Sequence, residues 1–226
     1  AGAAPGPGRR RAGAAAAAEP LVDLRDPDVP VVLLDLESTG LRAKSDCVTQ
    51  LAAKVLGSDD GIFNAFVVPG IPPSKASIGV TGLDMAFLEE HGRPFPDVWR
   101  EFEEWTRSLG RGFVMVAHNG RSFDFRLLHA ELLRSGVERP QERLSEMGLL
   151  CYVDSYALLR SPQLWAGRED VPGRFSMAEL YRGLFGEDIA GAHNAIVDVV
   201  ALERVLTEGV ANWRPTANAK QFLLDL

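Results

Sequence analysis

Four carboxylates and one histidine fall into three short segments of this 226-residue chain. Asp35 and Glu37 lie in the segment 31–40, Asp124 in 117–125, and His193 with Asp198 in 193–198. The metal-type donors are carboxylate oxygens, with no Cys/His cluster, a set that suits Mg²⁺ or Mn²⁺ rather than zinc. Two such ions about 4 Å apart can activate a water and stabilise a leaving 3′ oxygen. A histidine side chain titrates near neutral pH and can take the proton of that water. The chemistry these types imply is metal-assisted hydrolysis of a phosphodiester. Asp35, Glu37, Asp124 and Asp198 would then hold two ions, and His193 would be the general base.

Each segment alone has a plainer explanation. Asp35 and Glu37 are two apart, so a strand places both on one face; they could equally sit in the solvated loop after a buried strand. Asp124 opens a helical stretch, where the dipole favours a carboxylate anyway. His193 and Asp198 are five apart, about 140° on one regular helix. A shared site therefore needs Asp198 on the helix and His193 in the loop before it. The joint pattern carries the argument.

The elements that must position these residues are legible in outline. Val31 to Leu36 is a nearly unbroken apolar run, as in a buried central strand. Cys47 to Leu56 and Ile62 to Val68 follow across short turns, predicting an antiparallel meander. Pro69 to Pro73 reads as loop. Helices are expected over 84–90, 97–109, 124–135, 176–185 and 196–206, with short strands at 113–117 and 149–154. Leu127, Leu128, Leu132 and Leu133 should face inward. Ser176 with Glu179 three residues later reads as a capping box. A meander followed by alternating helices and strands is an α/β layered sheet of mixed direction.

Bulk properties bound the partners. The chain carries a formal charge of −7; removing the +3 of Arg9, Arg10 and Arg11 leaves −10 for residues 19–226. That argues against tight sequence-specific duplex binding. It is compatible with a carboxylate cluster neutralised by metal and with contact to only a few terminal nucleotides. No apolar run approaches the roughly 20 residues of a membrane span, so no membrane partner is expected. Cys47 and Cys151 form no disulfide framework, which points to an intracellular compartment, nuclear or cytoplasmic. The Ala/Gly/Pro/Arg-rich residues 1–18 are expected to be a disordered tail. Residues 19–210 form the single expected domain, and 211–226 are left unassigned.

The order D-x-E, H-N-x-x-x-x-D, H-x-x-x-x-D resembles the DEDDh branch of the DnaQ-like 3′–5′ exonucleases, over about Pro30 to Leu206. Within that family the chain is most similar to the three-prime repair exonuclease group and the exonuclease-like domain of the promyelocytic leukaemia protein. The resemblance implies a ribonuclease H-like fold: a mixed five-stranded sheet, antiparallel then parallel, flanked by helices. It implies that the stretch 78–83 is a loop gripping the 3′-terminal nucleotide, with Leu41 and Val80 wedged against terminal bases. Phe123 would pack near the scissile end, and Thr39 and Asn119 would also contact nucleotide. The expected partner is a nucleic-acid 3′ end, single-stranded DNA before RNA, with a homodimer as an allowed state. The alternatives are a 3′–5′ exoribonuclease, or an inactive domain that binds nucleic acid or protein. All five site residues are present, which weighs against the last; the acidic composition is its support.

Overall fold

β1 (Val31–Ser38) opens on an unbroken apolar run, Val31 to Leu34, because both faces of the strand are covered there. Val32, Leu34 and Leu36 point into one core, and Val31 and Leu33 into another on the opposite side of the sheet. The computed structural model describes residues 26, 28–110, 112–210 and 212–214. The expected disordered tail, 1–18, lies outside them, as does most of the unassigned segment 211–226.

β1 pairs antiparallel with β2 (Val48–Val55), which pairs antiparallel with β3 (Ile62–Val68). On its other edge β1 pairs in parallel with β5 (Phe113–Ala117), and β5 with β6 (Leu149–Asp154). These are the five strands read from the sequence. A sixth, β4 (Arg93–Pro94), adds two residues beside β3, giving the order β4-β3-β2-β1-β5-β6. Two residues carry no periodicity, so no pattern could reveal that strand.

Helices α3 (Phe95–Ser108), α4 (Asp124–Arg134) and α5 (Pro140–Glu146) cover the first face. Helices α6 (Ser155–Leu159), α7 (Met177–Phe185) and α8 (Ala195–Arg204) cover the second. α8 lies on β1 and β2 and runs on into a π-helical turn, Val205–Gly209. Trp213, in the segment left unassigned, is buried in the α8-side core, so the packed domain reaches at least that far. Lys54 on β2 forms a 2.8 Å ion pair with Glu203 near the C-terminal end of α8.

The structure corrects several expectations. The stretch 78–83 is not all loop: residues 78–81 belong to α1 (Lys75–Thr81), which is capped by the Ser74 hydroxyl and ended by Gly82 at φ 74°. None of the residues of α1 is buried, so no apolar stripe marked it as a helix. Helix α2 (Met85–His91) follows, capped by Asp84. Leu133 faces solvent, because the inward stripe of α4 is already filled by Leu127, Leu128 and Leu132. Ser176 is the N-cap residue of α7, but its hydroxyl makes no cap bond, and Glu179 lies beside Arg182 instead. The predicted box is therefore not formed.

Candidate active site

The site sits where β1 outruns its parallel neighbour. Pairing with β5 stops at Leu33, leaving the last residues of β1 with β2 as their strand partner. Asp35 and Glu37 share the α8 face of the sheet with Leu33, by strand alternation. Asp198 comes down onto them from the first turns of α8. Ligand oxygens of Asp35, Glu37 and Asp198 all lie within 4.8 Å of one another.

Asp124 arrives from the other side, at the first residue of α4. Its Oδ1 accepts the Leu36 backbone N–H at 3.1 Å, a group that no parallel strand reaches. That bond fixes the α4 terminus against β1 between Asp35 and Glu37. Asp124 stands outside the three-carboxylate group but lines the same cavity of about 560 Å³. His193, Asn119 and Phe123 also line it.

Crowding of like charges in a desolvated place raises carboxyl pKa values. Burial raises Asp35 well above its ordinary value, with further increments from Asp124, Asp198 and Glu37. Burial, then Asp198 and Asp124, pushes Glu37 up to about 7. Burial pushes Asp124 up to about 7 as well, against the pull of the Leu36 N–H. Asp198 is raised by burial, partly offset by the His193 N–H. Every charged neighbour acting on Asp35 and Glu37 disfavours ionisation. Three converging hard oxygens whose charge is uncompensated suit a hard divalent cation.

His193 is exposed, in the loop before α8, with φ 66°. An L residue holds that left-handed conformation only where its surroundings fix it. Its backbone N–H donates to Asp198 Oδ2 at 2.8 Å. One bond thus ties the histidine turn to a carboxylate of the cluster.

The loop between β5 and α4 is organised by a residue that sequence reasoning missed. Asp154, at the end of β6, accepts the N–H groups of Asn119, Arg121 and Tyr156 at 3.0, 3.1 and 3.0 Å. It holds Asn119 at φ 62° on the cavity rim. Gly120 is required there, since a Cβ would lie 2.6 Å from that of Ala117. His118 braces the opposite wall: Nε2 is 2.8 Å from the Phe175 carbonyl and Nδ1 3.0 Å from Ser155 Oγ. Donating to the carbonyl places the proton on Nε2, and burial lowers the pKa to match a neutral ring. Asp154 left no signal beyond being a polar residue at a strand end, whereas His118 opens the H-N-x-x-x-x-D segment.

The nucleotide-contacting expectations separate. Thr39 is buried; its hydroxyl accepts from Cys47 N at 2.9 Å and faces Asp46, so it closes the β1–β2 loop. Leu41 and Val80 lie outside the cavity wall as exposed apolar side chains, 92% and 54% accessible. Their segments are joined: Ser74 N donates to Thr39 O at 2.9 Å, and the Ser77 hydroxyl bonds to Ser38 O.

A family model described as Exonuclease, of the RNase T type, matches residues 32–206. The chain belongs to this exonuclease family. It is 30% identical to three-prime repair exonuclease 1 of Bos taurus over 83% of this chain and 64% of that protein. It is 32% identical to the Homo sapiens three-prime repair exonuclease 1, over 67% of this chain and 46% of that protein. The chain thus spans about half to two thirds of these relatives. Among solved structures, E. coli exonuclease I in complex with a dT13 oligonucleotide shares the fold. Its TM-score is 0.64 at 16% identity, over 79% of this chain and 41% of that one.

Proposed function

We propose that this chain is a metal-dependent 3′–5′ exonuclease acting on single-stranded DNA or frayed 3′ ends. The observation that carries the reading is the meeting of Asp35, Glu37 and Asp198 within 4.8 Å, with Asp124 and His193 around the same cavity. Asp35, Glu37 and Asp198 would hold a hard divalent cation, Mg²⁺ or Mn²⁺, with Asp124 serving a second. Such a pair supplies Lewis-acid polarisation of phosphoryl oxygens and charge stabilisation in the transition state. The chain's own residues do the rest. His193 takes a proton from the attacking water. The water oxygen bonds to phosphorus, the P–O3′ bond breaks, and the leaving O3′ takes a proton from solvent water. A nucleoside 5′-monophosphate leaves, and the shortened strand carries the new 3′-hydroxyl. Leu41 and Val80, apolar and exposed on adjoining segments, suit the faces of terminal bases, where stacking tolerates any sequence. Two buried free cysteines suit a reducing, intracellular compartment, nuclear or cytoplasmic. Among the described residues no helix is long and apolar enough to cross a membrane.

The test is incubation with Mg²⁺ and 5′-labelled single-stranded DNA, duplex DNA or RNA. A ladder shortening from the 3′ end of DNA is the expected result. Products cut internally, or turnover that persists in EDTA, would overturn the assignment; faster laddering of RNA would reassign the substrate.

A further inference from the structure

We propose that Gln50, on β2, is the positioning residue that sets the His193 turn; this rests on the exonuclease reading above, with His193 as the general base. Gln50 is fully buried and stands directly opposite Glu37 in the β1–β2 register. Cross-strand partners project to the same face, here the face that carries α8. Its Nε2 donates to Asn64 Oδ1 at 2.9 Å and to Asn194 Oδ1 at 3.0 Å. Its Oε1 accepts the Ala195 N–H at 3.1 Å. The Ala195 N–H fixes which way round the amide lies, since the reverse placement would set donor against donor.

These bonds fall on the residues that follow His193. Asn194 is the N-cap residue of α8, yet its side chain makes no cap bond to its own helix. A side chain from the central sheet does that work, bonding both the Asn194 amide and the first helical N–H. His193, immediately before, holds φ 66°, a conformation that persists only when surrounding contacts over-determine it. Its visible restraints are its own N–H bond to Asp198 on one side and the Gln50 clamp on the other. The body of α8 is held separately, by the Lys54–Glu203 pair and by buried Val199 and Leu202. Loss of Gln50 therefore loosens the turn without detaching the helix that carries Asp198. Gln50 sits in a strand that otherwise reads as ordinary core, and only the fold brings it to residues 144 and 145 positions later.

The experiment is a double-mutant cycle on 5′-labelled single-stranded DNA with Mg²⁺. Gln50→Leu keeps the size and removes all three bonds; misplacing a reacting group by about 1 Å costs about 10²-fold. The expected result is a kcat lower by about 10- to 100-fold, with KM and the Mg²⁺ concentration dependence held within about threefold. In a His193→Ala background the same substitution should cost less than about twofold more, because Gln50 acts through the missing ring. Gln50→Glu keeps the acceptor for the Ala195 N–H and should recover part of the lost kcat; it also carries the cycle if Gln50→Leu fails to fold. Losses that multiply in the double variant, or a folded Gln50→Leu protein with unchanged kcat, would overturn the proposal. An unchanged rate in His193→Ala alone would instead sink the general-base reading, and the Gln50 role with it.

Discussion

Replacing Glu37 by Gln should stabilise the metal-free protein while abolishing its activity. Glu37 titrates at about 7 in the fold instead of at its ordinary 4.5. A raised carboxyl pKa means the folded state binds more protons than the unfolded state between those two values. The contribution of Glu37 to the stability of the metal-free protein is therefore greatest below about 4.5, falls as pH rises through the window, and levels off above about 7. At about 1.36 kcal/mol for each pH unit, the ionised Glu37 costs about 3 kcal/mol at pH 8 and less than about 1 kcal/mol at pH 5. The amide has no proton to lose and escapes that cost. A domain of this size gains about 2–4 °C in Tm per kcal/mol, so Glu37→Gln should melt about 6–12 °C higher at pH 8. The assay is thermal unfolding in EDTA at pH 5 and pH 8, followed by the same melts with added Mg²⁺. The gap between the two proteins should be small at pH 5. Mg²⁺ should raise the Tm of the parent at pH 8 more than that of the variant. A Glu37→Gln protein that melts at or below the parent in EDTA at pH 8 would refute the reasoning, because the cluster would then not be held together against its own charge.

Three further outcomes follow from the same geometry. Asp35→Asn and Asp198→Asn should each abolish nucleotide release with the fold retained, and calorimetry should show weakened Mg²⁺ binding; near-normal turnover in either would remove that carboxylate from the metal site. His193→Ala should slow release by about 10²–10⁴-fold with Mg²⁺ binding intact, and loss of metal binding would recast His193 as a ligand. Asp154→Ala leaves three backbone N–H groups without their acceptor and should cost about 2–4 kcal/mol in urea unfolding; a loss under about 0.5 kcal/mol would show that the 119–121 turn holds itself.

The five residues proposed for the chemistry, which the fold brings around one cavity, could be picked out in the sequence because their constraints are local. Asp35 and Glu37 share a face by strand alternation, and the spacing of His193 from Asp198 required a loop before a helix. The apolar run of β1 announced a strand covered on both faces, and the three-strand meander followed from turn chemistry. What failed was structure without an apolar stripe. Helix α1 buries none of its residues and β4 has two, so neither leaves a period to read. Leu133 matched the apolar pattern, but the stripe of α4 had no room for it.

By itself the sequence determined which groups could do chemistry and the order in which they come. The tertiary structure decided how they meet, because their distances depend on pairing and packing between segments far apart in the chain. Asp124 reaches β1 only because β5 stops short and leaves the Leu36 N–H for it. Asp154 shapes the 119–121 turn across 35 positions, and Gln50 holds the start of α8 across 145. Hydrogen bonds of that kind have no sequence period. They exist only once the sheet has set β1, β2, β5 and β6 side by side.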